Sequence, residues 1–272
     1  MTNKSDQVGK NRDYFNKSAK RYREKDLVDF DYFVSYPAYS RIVAEYEGQK
    51  VPEVLDIGAG TGISSLPLLE HGCRVTSVDV AEQALERLRE RSKSYGEQLT
   101  TVCSEGGAFV DKCAVDRTSF DIVLCRALLH HIPDYIDFIG RVMKVVREGG
   151  YFVSFADPLR YDSISRFEYL YARLTYYTMR VFKGNYIRGL KTLLRRSKGT
   201  LSDKLPEDNV EYHVVRNGVD QDAIRELLVK NGFECEITPY FGWNNPIMSP
   251  LGRVLGIRSS FLCVARRIPC DG

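Results

Sequence analysis

The strongest constraint on this chain is an alternation of two patterns. Short apolar runs end at turns, and each is followed by a stretch with apolar residues at helical spacing. Glu53-Val54-Leu55-Asp56-Ile57 reads as a short buried strand running into glycines. Ile63 to Leu69 has helical spacing and stops near His71-Gly72. Arg74 to Asp79 is strand-like, Ala84, Leu85 and Leu88 form a helix face, and Leu99 to Cys103 is the next strand. Phe120 to Cys125 is a strong buried strand. The spacing then predicts a helix from Tyr135 to Val146, ended by Gly149-Gly150, and a strand from Tyr151 to Ala156. Such alternation calls for parallel βαβ units in a doubly wound α/β sheet.

The pattern breaks after Asp157 and resumes with a helix from Gln221 to Lys230. Strands follow at Glu234 to Tyr240 and Phe261 to Arg266. Residues 158–216 hold no convincing strand before His213-Val214-Val215, so they read as a mainly helical cap inserted over the sheet. Residues 1–50 are polar and aromatic, with helical spacing around Tyr14-Phe15, Ala19 and Tyr22, and read as an N-terminal helical lid. The expected organisation is a core of residues 1–157 and 217–272 with the cap at 158–216.

At 272 residues the chain suits one large domain or a domain plus a cap. No run of eighteen apolar residues exists, and the N-terminus lacks the apolar core of a signal peptide. The seven cysteines form no C-x-x-C pair and no H-x-x-x-H spacing occurs. Neither a metal nor a disulfide framework is indicated, and a cytoplasmic setting is the expectation.

The chemistry concentrates at Asp56-Ile57-Gly58-Ala59-Gly60-Thr61-Gly62. Glycines at a strand-to-helix turn let a ligand approach the backbone. Asp79, ending the next strand, can take both hydroxyls of a ribose. A dinucleotide loop would need glycine where Ile63 stands, and a phosphate loop would need G-K-[ST]. The loop carries no lysine or arginine for a pyrophosphate, and Asp56 beside it suits a cationic ligand.

With Val78-Asp79-Val80, Phe120-Asp121-Ile122-Val123, Leu128-Leu129-His130-His131-Ile132 and Gly149-Gly150, this segment resembles the class I S-adenosylmethionine-dependent methyltransferases, most of all their small-molecule members in quinone and natural-product biosynthesis. The resemblance covers about residues 10–157 and 217–266. It implies a Rossmann-like seven-stranded sheet whose last strand is antiparallel, with the cofactor at the strand C-terminal edge. By the same resemblance Gly58, Ala59 and Gly60 would pass under the methionine, Asp56 would meet its ammonium, Asp79 the ribose and Val80 the adenine. The family usually carries Asp after the third strand; here Ser104 or Glu105 must substitute. Arg126 would line the methionine pocket, and Tyr14 and Tyr22 would close over the cofactor.

Methyl transfer to an oxygen benefits from a general base. The competing candidates are His130, His131, His213 and Asp157. The cap supplies the remaining candidates. Residues 158–200 hold ten basic and two acidic side chains, a net +8, while the whole chain is +3 and the rest therefore −5. Arg166, Arg173 and Arg180 are seven apart and form one stripe; Ile164, Phe167, Tyr171, Leu174, Thr178 and Val181 form an apolar one. Arg166, Arg173, Tyr177 and Trp243 are the acceptor-binding candidates. The basic face is read as solvated, as binding an acidic acceptor, or as lying on an anionic membrane. No nucleic-acid module is recognisable. The expected activity is methylation of a small molecule, most readily at oxygen. A membrane-surface lipid or quinone methyltransferase is the alternative, along with a cofactor-binding cyclase-like enzyme or binding protein.

Overall fold

In the computed structural model the described residues are 32–182, 217–242 and 248–269, with Gly9, Arg12, Asp13 and Asn16. Seven strands form one sheet in the order β3-β2-β1-β4-β5-β7-β6. They are β1 (Glu53–Ile57), β2 (Arg74–Asp79), β3 (Leu99–Cys103), β4 (Phe120–Arg126), β5 (Val146–Pro158), β6 (Phe233–Tyr240) and β7 (Ser260–Arg267). The first five run parallel, and β7 is antiparallel to both of its neighbours. The doubly wound sheet with an antiparallel last strand is therefore as the sequence implied.

Burial follows position in the sheet. Within β1 and β4 almost every residue is buried, because helices cover both faces. The edge strand β6 instead alternates, with Phe233 turned into the core. On one face pack α4 (Gly106–Val115), α5 (Tyr135–Val142) and α7 (Gln221–Lys230), around Leu55, Ile57, Val123, Phe138, Phe152 and Leu228. On the other lie α1 (Tyr32–Ala44) and α2 (Ser65–Glu70), against Val54, Ile122, Val153 and Phe155. Next to them, α3 (Glu82–Arg91) buries Leu85 and Leu88 beside the glycine loop. The part of the first fifty residues that is described, α1, belongs to the core: Ala38, Tyr39, Ile42 and Val43 are all buried.

Two helical expectations are corrected. The helix after β4 ends at Val142 and tightens into a 3₁₀ turn over Met143–Val145. Gly149 and Gly150 fall inside β5 instead of ending the helix. A side chain at Gly150 would meet the Asp121 carbonyl oxygen at 2.7 Å, so close strand packing fixes that glycine.

The second concerns α6 (Arg166–Phe182), the described helix of the insertion. Its buried residues are Glu168, Tyr171, Ala172 and Thr175. Phe167, Leu170 and Leu174 face outward at 61%, 64% and 53% exposure, so the expected apolar stripe is split, with its Tyr171 buried and its Phe167 and Leu174 outward. The reason is a polar anchor. Ser165 and Glu168 form a capping box, with the Ser165 N–H donating to Glu168 Oε2 at 2.8 Å and the Glu168 N–H donating to Ser165 Oγ at 3.2 Å. The same carboxylate accepts from Arg258 through Nε at 2.7 Å, Nη2 at 3.0 Å and the backbone N–H at 3.1 Å. These bonds turn the Glu168 face inward. The chain before α6 also meets the chain before α7: Leu159 bridges Val219, and the Val219 N–H donates to the Pro158 carbonyl at 2.9 Å.

Candidate active site

The glycine loop leaves β1 at Ile57 and is pinned to β2. The Gly58 and Ala59 N–H groups both donate to the Val78 carbonyl, at 2.8 and 3.1 Å. Asp79 locks the turn further: Oδ2 accepts from the Gly60 N–H and Oδ1 from the Ala81 N–H, both at 2.8 Å. Burial pushes the Asp79 carboxyl up, and the backbone N–H groups of Ala81, Gly60 and Val80 pull against that. Gly62 has φ +87°, and a Cβ there would lie 2.3 Å from a Leu88 methyl. Only glycine fits where the loop crosses α3. A Cβ on Gly60 would meet nothing within 4 Å, so the loop presents open backbone there.

Asp56 sits beneath this loop at 1% exposure. Its Oδ2 accepts from Ser65 Oγ at 2.6 Å, and Ser65 Oγ meets Ser77 Oγ at 2.9 Å. Its Oδ1 is buried and has no hydrogen-bond partner. Burial and the charge of Asp79 raise the carboxyl to about 7, against the Ser65 hydrogen bond and the charge of Arg126. An orphaned buried carboxylate oxygen is costly unless something cationic meets it. The site therefore fits a ligand that brings an ammonium to this point.

Beyond β4 the chain passes the loop again, since a Cβ on Gly58 would touch Leu128 at 3.0 Å. Leu129–His131 is a 3₁₀ turn that buries Leu129 and His130. His130 Nδ1 lies 2.7 Å from Asp157 Oδ1, and the His130 N–H donates to the same oxygen at 3.1 Å. Ser154 Oγ donates to Asp157 Oδ2 at 3.2 Å. Asp157 is completely buried. The two residues that the sequence offered as rival bases are thus one unit. A carboxylate here accepts Nδ1–H and leaves Nε2 as the basic nitrogen. His131 stacks on His130 with centroids 4.0 Å apart and is half-buried.

The other expected residues are placed as follows. Val80 and Ser104 flank the C-terminal ends of β2 and β3, both half-buried. Glu105 caps α4, its Oε2 accepting from the Ala108 N–H at 3.0 Å, so it has a local task of its own. Arg126 ends β4 with its guanidinium 5.8 Å from the Phe155 ring centroid. Arg166 is exposed, whereas Arg173 donates to the Tyr169 hydroxyl at 2.8 Å and lies over that ring. Tyr14, Tyr22, His213 and Trp243, and the side chains of Tyr177 and Arg180, lie outside the described residues. Near the lid segment, Asn16 Oδ1 accepts from the Gln83 N–H at 3.1 Å, at the start of α3. Among the described residues no group of three or more His, Cys, Asp or Glu could hold a metal, and no helix is long and apolar enough to cross a membrane.

Sequence reasoning missed Ser65, Ser77, Ser154 and Tyr240. Only Ser154 carries a signal, as the polar position within the apolar run Tyr151–Phe155.

A methyltransferase-domain family matches residues 55–154. A ubiquinone biosynthesis O-methyltransferase of Idiomarina loihiensis is 35% identical over 98 residues, which is 36% of this chain and 39% of that protein. The counterpart from Vibrio parahaemolyticus is 29% identical over 110 residues, covering 40% and 46%. The matched segment thus spans less than half the length of these relatives. Among solved structures, a magnesium protoporphyrin IX methyltransferase from Synechocystis superposes with TM-score 0.53 at 15% identity, covering 96% of this chain and 97% of that one. A methyltransferase from Mesorhizobium loti gives 0.54 at 18% identity, covering 85% and 96%. Residues 55–154 thus match a methyltransferase-domain family, and the fold is that of solved S-adenosylmethionine-dependent methyltransferases.

Proposed function

We propose that this protein transfers a methyl group from S-adenosylmethionine to an oxygen of a small molecule, in cofactor or secondary-metabolite biosynthesis. The observation that carries the reading is the buried His130–Asp157 pair, 2.7 Å apart, on the same sheet edge as the acidic glycine loop. The relatives named as ubiquinone biosynthesis O-methyltransferases support an oxygen acceptor.

The bound sulfonium supplies an electrophilic methyl with its leaving group already activated. The chain's own residues do the rest. Asp56 Oδ1 takes the ammonium, and the open backbone at Gly60 lets the methionine part lie close. Asp79 uses two lone-pair positions on Gly60 and Ala81 and keeps acceptor capacity for ribose hydroxyls. Val80 packs on the adenine, with Ser104 or Glu105 at its amino edge, and Arg126 lines the methionine pocket. His130 Nε2 would take the acceptor hydroxyl proton as the oxygen–methyl bond forms and the methyl–sulfur bond breaks, its electron pair leaving with the neutral thioether, and Asp157 would stabilise the resulting imidazolium. Alignment of acceptor and methyl contributes roughly 7–11 kcal/mol and the base about 10²–10⁴-fold.

Calorimetry with S-adenosylhomocysteine tests the cofactor claim directly, since absence of binding would end it. Product mass separates methyl transfer from the cyclase-like and binding-protein readings, because only transfer adds a methyl group to the acceptor. A membrane-surface acceptor, a lipid or quinone, is the second reading. It is favoured by the outward Phe167, Leu170 and Leu174 of α6 within the basic segment.

A further inference from the structure

We infer that Tyr240 is a positioning residue for the His130–Asp157 pair, because its hydroxyl holds the β-bulge that turns Asp157 toward His130. The inference rests on the proposed role of that pair and adds a residue two strands away.

Strand parity shows why a bulge is needed. Along β5, Phe152 faces one cluster of the core, and Val153 and Phe155 face the other. Ser154 therefore shares the face of Phe152. In a regular strand Ala156 would return to that face, and Asp157 would follow Phe155 to the opposite one. Instead the β5–β7 register shifts between Phe155 and Asp157, and Ala156 joins the cluster that holds Phe155. One residue is absorbed, the alternation is inverted, and Asp157 regains the Ser154 side. The 3.2 Å contact from Ser154 Oγ to Asp157 Oδ2 records that return.

The bulge has a conformational cost. Ala156 adopts φ +63°, and Ala127, across from it at the end of β4, adopts φ +49°. Each is a left-handed conformation that an L-residue with a Cβ resists. Both strained residues flank the pair, at one position before Asp157 and three before His130. The Ala127 N–H is fixed by the Phe155 carbonyl at 2.8 Å. The Ala156 N–H has left the β7 ladder and donates to the Tyr240 hydroxyl at 3.0 Å. Tyr240 ends β6 in register with Ser260, and Ser260 is in register with Pro158. Its ring therefore spans β7 to reach β5. Without that oxygen a partly buried N–H would lose its partner, and the strained turn would lose its clamp.

The test needs no acceptor. A histidine Nδ1–H bonded to a buried carboxylate exchanges slowly and gives a downfield proton resonance in protein with ¹⁵N-labelled histidine. The chain has four histidines, so substituting each in turn assigns the signal. Tyr240→Phe should lose the His130 resonance while the thermal transition stays cooperative. Ala156→Gly, which takes the same φ without a Cβ, should keep it. The double variant Ala156→Gly/Tyr240→Phe should regain it, a rescue that a merely structural role for Tyr240 would not give. An unchanged resonance in Tyr240→Phe, or no rescue in the double variant, overturns the proposal. If Tyr240→Phe does not fold, the double variant decides alone, with its signal present or absent. A wild-type protein lacking the resonance would instead sink the His130–Asp157 pair, and with it the mechanism, before Tyr240 is touched.

Discussion

Asp56 is the residue whose state depends most on what occupies the site. Its carboxyl, raised to about 7 chiefly by burial, holds a proton in the folded ligand-free protein at pH values where the unfolded chain has lost it. The sign follows from linkage: the folded state binds more protons between roughly pH 4 and 7, so stability falls as pH rises through that window and is flat above it. Asp56→Asn should remove that slope, an effect of a few kcal/mol at about 1.4 kcal/mol per pH unit, read from thermal melts across the window. Ligand binding should do the opposite of protonation. Near pH 6.5, S-adenosylmethionine should displace a proton, seen as a dependence of the calorimetric heat on the buffer's ionisation enthalpy. Equal heats in phosphate and Tris would show that Asp56 does not meet the ammonium. The two halves of the catalytic pair make a second residue-scale prediction. Asp157→Asn and His130→Gln should each lower kcat by about 10²–10⁴-fold. Neither change should alter S-adenosylhomocysteine affinity by more than about twofold, because neither side chain is assigned to the cofactor. A comparable loss of affinity would move the pair out of catalysis and into binding.

The elements that carry the site differ in how much of them a sequence can show. The central strands β1 and β4 were legible because strands buried on both faces are largely apolar, and the turn after β1 was legible because its glycines have no substitute. Gly62 illustrates the second point: Gly62→Ala puts a Cβ 2.3 Å from Leu88 at φ +87° and should destabilise by about 2–4 kcal/mol, measured by urea unfolding. An unfolding midpoint equal to wild type would mean that α3 yields easily there. What the sequence hid was any feature set by parity or by a partner far along the chain. Asp157 and His130 are 27 residues apart, and their pairing depends on a bulge at an alanine that has no turn signature. Which face of α6 is buried was hidden for the same reason. Periodicity weighed Phe167 and Leu174 as apolar, but Arg258, 90 residues downstream, decides that Glu168 turns inward. The Arg258 hydrogen bonds hold that carboxyl down at about 2, so its stabilisation is present above the unfolded carboxyl range and lost only as pH falls toward 2. Glu168→Gln should therefore cost about 1–3 kcal/mol at neutral pH. It should also expose α6 to limited proteolysis before the sheet, whereas cleavage as slow as in wild type would show that the Tyr171 and Ala172 contacts suffice.

At the scale of the whole molecule, the positive charge gathers in one segment of the sequence. The segment 158–200 carries a net +8 on a chain whose remainder is −5. Its described helix shows Phe167, Leu170 and Leu174 to solvent. Beside it α8 (Met248–Val254) is fixed by the Tyr171 hydroxyl donating to the Met248 carbonyl at 2.8 Å, and Leu251, Val254 and Leu255 are exposed there too. A purely solvated cap would have no need of outward leucines and phenylalanine on a helix whose buried face is already set by Glu168 and Tyr171. Among the described residues exposed Arg166 shares the helix with these outward apolar side chains, a combination that matches an anionic bilayer, where each basic residue near the surface contributes about 1 kcal/mol and salt screens that term within a Debye length of about 10 Å at 0.1 M. The protein should then sediment with phosphatidylglycerol-containing vesicles at low ionic strength and be released several-fold by 0.3 M salt. Leu170→Glu with Leu174→Glu should abolish the retention without changing S-adenosylhomocysteine binding, since both side chains are exposed and neither is assigned to the cofactor. If wild-type protein stays in the supernatant at low salt, the membrane-surface reading falls, and the acceptor must reach His130 from solution.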